Sequence, residues 1–363
     1  MSEQINTPKL RFPEFRDEWE SKEFKDIIKI NSGKDYKHLN IGKYPVYGTG
    51  GYMLSVSDYL YKNDAIGIGR KGTINKPYLL KGPFWTVDTL FYCTPLANND
   101  LSFLLTLFRK VNWKKYDEST GVPSLSKVTI SKIKCKVPII SEQEKIGTFF
   151  SKLDRQIELE EQKLEKLEEQ KKGYMQKIFS QELRFKDENG NDHPEWGENT
   201  LGEITNITTG SLDANAMVAN GKYKFFTCAR ETYQIDNYAF DTEALLISGN
   251  GANVGYIHHY KGKFNAYQRT YVLDRIETNI YFLKYYLEKN LIKRIYSEKR
   301  DGNTPYITRS TLYDMEINIP ISNQEQQKIG DFFKKVDELI EIQCSKVELL
   351  KERKKGFLQK MFV

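Results

Sequence analysis

The sequence predicts an α+β protein. Two β-rich globular segments are joined and spaced by two long antiparallel coiled-coil helices, in a cyclic pseudo-twofold repeat. Three observations predict this. One stretch of the chain occurs twice, the elements around it return in the same order, and both copies carry apolar residues at coiled-coil spacing. An internal repeat outranks local propensity when a fold is read from sequence.

The repeated stretch reads EQEKIGTFFSKLDRQIELEEQKLEKLEEQKKGYMQKIF from Glu142 to Phe179 and EQQKIGDFFKKVDELIEIQCSKVELLKERKKGFLQKMF from Glu325 to Phe362, with 21 of 38 positions identical. Neither copy contains Pro, and Glu, Lys, Gln and Leu dominate, so both are expected to be helices. Ser141 with Glu144, and Ser322 with Glu325, have capping-box spacing. Apolar residues follow at three- and four-residue steps: Ile146, Phe150, Leu153, Ile157, Leu164, Leu167, Tyr174 and Ile178. The second copy answers with Ile329, Phe333, Val336, Ile340, Val347, Leu350, Phe357 and Met361. This is the a/d seam of a coiled coil.

Polar residues break the seam at Glu160 and Lys171, and at Gln343 and Lys354. An antiparallel pairing with Glu160 against Lys354 and Lys171 against Gln343 matches every break. It also sets Leu153 near Met361, Ile157 near Phe357 and Leu164 near Leu350. A slip of one heptad would put a charge against an apolar residue, which is costly without a partner. The competing arrangement packs each helix on its own domain. Gly173 and Gly356 stand at matching points and suit either close approach of a partner or fraying.

The repeat divides the chain. An N-terminal arm covers 1–19, a first globular domain 20–140, the first long helix and a connector 141–195, a second globular domain 196–320, and the last helix 321–363. The arm carries Leu10-Arg11-Phe12 and Trp19; Leu183-Arg184-Phe185 and Trp196 return after the first helix. The duplication is therefore cyclic, and the arm supplies what the second helix lacks after Val363. In the globular segments Phe24, Ile27 and Gly33 match Leu201, Ile204 and Gly210, and Ala65–Ile68 matches Ala244–Ile247 before a Gly-rich loop. Lys81-Gly82 matches Lys261-Gly262. Their Tyr, Phe, Thr, Val and Ile runs between Gly turns argue for β-rich domains.

Composition sets limits. A chain of 363 residues holds two or three domains. A net charge of +6 is compatible with a polyanion partner without requiring one. Cys93, Cys135, Cys228 and Cys344 form no metal or disulfide spacing and suit a reducing, cytoplasmic compartment. No secretory signal is expected, and the apolar run Leu101–Phe108 is too short to span a bilayer.

The run Thr-Gly-Val-Pro-Ser-Leu-Ser (120–126), the Val137-Pro138 pair, Ser-Glu-Gln-Glu-Lys-Ile (141–146), a long helix and a second copy of the set together resemble the specificity subunit of type I restriction-modification systems. The resemblance covers essentially the whole chain. It implies two target-recognition domains, each reading one half of a bipartite site on double-stranded DNA, and helices that dock two methyltransferase subunits. Restriction subunits would join the larger complex. It implies no catalysis and no cofactor in this chain, with S-adenosylmethionine, ATP and Mg belonging to the partner subunits. The paired seam from Leu153 to Ile178 would span about 38 Å, close to one turn of B-DNA at about 34 Å. That suits two half-sites with a fixed unread gap.

Arg and Lys bind phosphates, and Arg, Asn and Gln pair with purine edges. On that basis the DNA-contact candidates of the first domain are Arg70, Lys71, Thr73, Asn75, Asp88, Thr89, Lys114, Lys115, Ser119 and Thr120. Those of the second are Arg230, Asn250, Asn253, Gln268, Arg269, Arg300, Asn303, Thr304 and Arg309. Gln268-Arg269 replaces Asp88-Thr89 at an aligned position, as expected of two readers of different half-sites. The helix-pairing candidates are Leu153, Ile157, Glu160, Leu164, Leu167, Lys171, Val336, Ile340, Gln343, Val347, Leu350 and Lys354.

Other chemistries find less support. Gly67-x-Gly69-x-x-Gly72 has dinucleotide spacing, but Pro77 follows where a helix should open. Asn75-Lys76-Pro77-Tyr78 is one Pro short of the adenine methyltransferase box. His258-His259 lacks spaced metal-ligand partners. A coiled-coil scaffold carrying two β-rich ligand-binding domains without DNA specificity remains as an alternative, and a transferase using the Gly67 loop as a third reading.

Overall fold

The computed structural model describes residues 7–298 and 304–363. They form two compact units. One runs to Gln162 and includes Cys344–Val363; the other is Lys163–Gln343. The two long helices, α4 (Ile140–Phe179) and α8 (Asn323–Lys360), each contribute to both units.

In the first unit β1 (Glu20–Glu23) pairs antiparallel with β9 (Lys134–Val137) and leads into the turn α1 (Phe24–Ile27). A four-stranded antiparallel sheet follows in the order β2 (Ile28–Ser32), β8 (Leu90–Pro95), β5 (Ala65–Gly69), β6 (Tyr78–Leu80). A second sheet sets β3 (Ile41–Gly48) between β4 (Gly51–Val56) and β7 (Trp85–Thr86). Two helices complete the unit, α2 (Leu101–Lys110) and α3 (Lys127–Ser131).

The second unit repeats this plan. β10 (Trp196–Thr200) pairs with β17 (Glu316–Pro320), and α5 (Leu201–Ile204) follows β10. One six-stranded sheet runs β11 (Asn206–Thr209), β16 (Thr270–Asp274), β14 (Phe240–Ser248), β15 (Ile257–Ala266), β12 (Tyr223–Phe226), β13 (Tyr233–Ile235). The helices are α6 (Ile280–Ser297) and α7 (Arg309–Tyr313). The long β15 does the work of both β6 and β7. In the first unit Pro83 falls between those strands, and a residue without an N–H interrupts a ladder.

The repeated E-Q-x-K-I-G motif explains how each long helix docks. Glu142 is fully buried and takes both Nε and a terminal nitrogen of Arg11, each at 2.7 Å. Glu325 does the same for Arg184 at 3.1 and 2.9 Å. Gln143 Oε1 accepts from the backbone N–H of Asp100 (3.0 Å), the residue that caps α2 through Phe103 N. Gln326 accepts likewise from Asn279 (2.9 Å), which caps α6. A Cβ on Gly147 or Gly330 would collide with the side-chain oxygen of that cap, so the glycine is required by close approach. Gly173 and Gly356 have open space around the Cβ position.

The arm closes the cycle. Leu10 N–H donates to Lys360 O (2.9 Å), much as Leu183 N–H donates to Lys177 O (3.1 Å). The capping expectation holds in half. Ser322 Oγ accepts from Glu325 N, but the Glu325 side chain is committed to Arg184. α4 opens at Ile140, so Ser141 lies inside its first turn and Ile139 O takes the free N–H groups.

All twelve helix-pairing candidates are buried or half-buried, and the helices run antiparallel, but the expected register is overturned. In the first unit Glu160 pairs with Lys346 (3.0 Å), Lys354 pairs with Asp154, and Phe149 meets Phe357 edge-on. In the second, Lys171 pairs with Asp337 (2.7 Å) and reaches Glu288, and Tyr174 meets Phe332. The pairing is therefore displaced by about one heptad from Glu160 against Lys354. The polar breaks need not face each other, because long side chains beside the seam reach across it and keep their charge near water. The ends fix the register instead. Phe362 stacks on Phe103 (5.5 Å) and meets Trp19 (5.9 Å) in the first core. Phe179 stacks on Phe333 (5.7 Å) and meets Phe282 (5.9 Å) in the second.

Candidate nucleic-acid interface

Three loops converge in each unit, and backbone hydrogen bonds tie them together in the same way. In the first unit, β5 ends in the loop containing Arg70 and Lys71. Arg70 N–H donates to Thr89 O (2.8 Å) in the loop before β8. Leu125 N–H, from the Gly-Val-Pro loop before α3, donates to Arg70 O (2.9 Å). In the second unit Gly249 N–H donates to Arg269 O (2.9 Å) and Ile307 N–H to Gly249 O (2.8 Å). Single β-bridges join Lys71 to Ser124 and Asn250 to Tyr306. One frame thus carries two sets of side chains.

The frame is held by its own acids and hydroxyls. Asp117 accepts from the backbone of Ser119 (3.0 Å) and Ser124 (2.9 Å) and from the Ser119 hydroxyl (2.8 Å). Those bonds hold its carboxyl below the usual range. Glu118 takes the hydroxyls of Ser126 and Thr129; Glu298 takes that of Thr311 at the matching place (2.7 Å). Ser126 and Thr308 cap the short helices α3 and α7.

In the first unit Arg70, Lys71, Asn75 and Asp88 are exposed, and Thr73 and Thr89 are half-buried. Arg70 lies over the Phe91 ring (5.9 Å) and Lys127 lies over the same ring (5.9 Å). A shallow pocket between them is lined by Ser124 and Ser126. Lys114 and Lys115 are exposed on a 3-10 turn anchored by buried Trp113. Thr120 is exposed, while the Ser119 hydroxyl is engaged by Asp117.

In the second unit Gln268 and Arg269 are exposed, and Gln268 donates to Asp213 (3.3 Å). Asn250 and Asn253 are half-buried, and Asn253 donates to Cys228 O (3.1 Å). Arg230 lies over the Tyr256 ring (5.3 Å) in the turn between β12 and β13. Thr304 and Arg309 are exposed. Arg300 and Asn303 lie outside the described residues.

Two residues of this frame escaped the sequence reading. Lys127 stands where Arg309 stands, and Tyr306, 57% exposed, stands where Ser124 stands. Setting Pro-Ser-Leu-Ser-Lys (123–127) over Pro-Tyr-Ile-Thr-Arg (305–309) would have found both.

No helix opens at Gly72. Gly67 and Gly69 lie inside β5, and a Cβ on Gly69 would strike the Thr73 carbonyl. The dinucleotide reading therefore lacks its helix. His258 bonds Ala229 O (3.1 Å) and His259 bonds Glu243 (3.0 Å). Among the described residues no cluster of His, Cys, Asp or Glu could hold a metal ion, and no helix is long and apolar enough to cross a membrane.

The model of the type I restriction modification DNA specificity domain matches residues 16–169 and 194–352. The EcoDI specificity subunit of Escherichia coli is 42% identical over 156 residues, 43% of this chain; the match spans only 34% of that relative's length. The MjaVIII specificity subunit of Methanocaldococcus jannaschii is 26% identical over 300 residues, 72% of this chain and 68% of its own. The fold matches the crystal structure of a type I restriction-modification S subunit from M. genitalium with a TM-score of 0.76 at 18% identity, over 98% of this chain and 99% of that one.

Proposed function

The chain belongs to the type I restriction modification DNA specificity family, and from that premise we propose that each unit reads one half of a bipartite duplex site for methyltransferase and restriction subunits. The observation that carries this is the shared loop frame with different side chains. Arg70, Asp88, Thr89 and Ser124 occupy in one unit the places held by Gly249, Gln268, Arg269 and Tyr306 in the other. A constant backbone with a changed set of donors and acceptors is what two readers of different sequences need. The cationic members, Arg70, Lys71, Lys127, Arg269 and Arg309, supply the phosphate contacts that fix position. Family membership leaves the scaffold without DNA specificity unsupported.

The division of labour we propose rests on membership of the specificity family. We assign transfer and cleavage, with S-adenosylmethionine, ATP and Mg, to the partner subunits, and we place the complex in the cytoplasm. Two methyltransferase subunits would dock on the long helices, where Leu159 and Ile342, at matching points of the repeat, are 41% and 65% exposed.

The test exchanges Gln268→Asp and Arg269→Thr together in the full chain, co-expressed with its methyltransferase subunits. Sequencing of methylated adenines should show altered preference in one half-site and an unchanged other half. Replacing the segment from Gly197 to Ile321 by another reading domain should change that same half alone. Unchanged methylation in both variants, or methylation by the isolated chain, would refute the assignment.

A further inference from the structure

A fourth segment of the first unit stands against the three loops, and the sequence reading passed over it. It is the end of the β3–β4 hairpin, Gly48 to Met53, with the turn at Thr49-Gly50. Val87 N–H, one residue before Asp88, donates to Tyr47 O (3.0 Å). The Tyr78 hydroxyl donates to Gly48 O (2.6 Å). A Cβ on Gly72 would lie 3.8 Å from Thr49 Oγ1, in van der Waals contact. The hairpin is thus bonded to the segment entering Asp88-Thr89 and lies beside the Lys71–Gly72 loop.

The turn is braced and its tip is bare. Tyr47 sits among Tyr52 (6.5 Å), Tyr78 (6.2 Å) and Phe84 (6.4 Å), each edge-on, which holds the hairpin stiff. Met53 folds over Gly48, where a Cβ would come within 2.7 Å of its sulfur. Gly50 and Gly51 have nothing near their Cβ positions, and Gly51 has φ +110°. Tyr52, whose ring edge meets Tyr47 and whose hydroxyl is 3.2 Å from that of Ser55, is still 64% exposed, and Met53 is 49% exposed. Single exposed apolar residues are ordinary on protein surfaces. Tyr52 and Met53 open the β4 side of a braced hairpin whose Thr49 lies beside Gly72, the residue after Arg70 and Lys71 in the chain.

The second unit supports the position. Its β12–β13 turn has the same pairing, with β12 parallel to the end of β15 as β3 is to β7. Tyr267 N–H donates to Phe226 O (2.8 Å), the counterpart of Val87 to Tyr47. That turn carries Arg230 and is tied to the glycine loop through Asn253. One turn presents a cation and the other an apolar edge.

We infer that the Thr49–Met53 tip is a fourth DNA-contacting element of the first unit, with Tyr52 and Met53 making apolar contact with bases of the half-site that this unit reads. Apolar side chains meet thymine methyl groups in the major groove or wedge between base steps in the minor groove. The inference rests on the proposed DNA reading by this unit.

The experiment compares Tyr52→Ser with Met53→Ser, Arg70→Ala with Lys71→Ala, and wild type, each as the full chain with its methyltransferase subunits. The readouts are methylated-adenine sequencing and binding, across a salt series, to a duplex carrying the wild-type site. The tip variant should relax preference at one or two positions of one half-site and lose roughly ten-fold in affinity. Its salt dependence should be unchanged, because no charge is removed. The Arg70/Lys71 variant should instead flatten the salt slope by about one per residue. If the serine pair lowers the melting temperature, Met53→Ser alone is used, since Met53 lies outside the ring cluster. A tip variant equal to wild type beside an altered Arg70/Lys71 variant overturns the inference and leaves DNA reading intact. If neither pair changes binding or methylation, the DNA reading itself falls.

Discussion

Arg184 gives two parallel hydrogen bonds to the fully buried carboxylate of Glu325, at 3.1 and 2.9 Å, and a third from the same side chain to Pro194 O at 2.5 Å. Arg11 repeats the arrangement with Glu142 and the carbonyl of Asp17 (2.6 Å). The arm of each repeat is thereby locked onto the start of a long helix. Arg11 and Arg184 are both held above their ordinary value, first by the carboxylate hydrogen bond.

Removing Glu325 strips Arg184 of both carboxylate hydrogen bonds and leaves it Pro194 O and the exposed Glu195 (3.6 Å), a loss of about 1.5–3 kcal/mol. Glu325→Ala should therefore lower stability by that order in denaturant unfolding. Glu325→Ala with Arg184→Ala should recover part of the loss. A single variant within about 0.5 kcal/mol of wild type would show that the pair does not hold the arm.

The helix register has a charge-swap test. Glu160→Lys should destabilise the first unit by placing a cation against Lys346, and Lys346→Glu should restore about 1 kcal/mol. Lys354→Glu should not, because Lys354 belongs to Asp154. Rescue by Lys354→Glu alone would return the register to the one the seam suggests.

The four glycines of the two long helices should divide into two pairs. Gly147→Ala and Gly330→Ala force a methyl group into the cap of α2 or α6 and should lower the melting temperature. Gly173→Ala and Gly356→Ala meet nothing and should raise stability by up to about 1 kcal/mol each through helix propensity. Thermal melts of the four single variants decide this.

Burial, only partly offset by the bond to Ala229 O, holds His258 below its ordinary value. The neutral imidazole is then favoured in the folded state, and the unfolded chain binds the proton first. Its stability contribution is present above about pH 6.5 and is lost as pH falls through the folded value. Between pH 7.5 and pH 5 the wild type should lose more stability than His258→Gln. Equal pH slopes for the two would remove His258 as the source.

The loop candidates show how far local reading reaches. Gln268-Arg269 and Asp88-Thr89 were aligned from sequence order alone, and their carbonyls accept the matching bonds from Gly249 and Arg70. Tyr306 and Lys127 were missed because one is an aromatic in a polar loop and the other the first residue of a five-residue helix. The Thr49–Met53 turn was missed because its apolar tip reads as interior.

What the sequence by itself determined was the duplication, the two long antiparallel helices, the cyclic place of the arm and the common order of elements in the two β-rich segments. These follow from identity between copies, from the 3-4 period, and from turn residues, all of which are written locally. Only the tertiary structure decided the helix register and the membership of the loop clusters. The polar breaks of the seam favour a register one heptad away from the one observed. The rings at its ends, Phe362 on Phe103 and Phe179 on Phe333, fix the observed one. Charges such as Glu160 then take their partners from residues beside the seam, because a long lysine can reach across a helix. The loops likewise meet through backbone bonds between segments far apart in the chain, and no local pattern records which carbonyl a distant N–H will find.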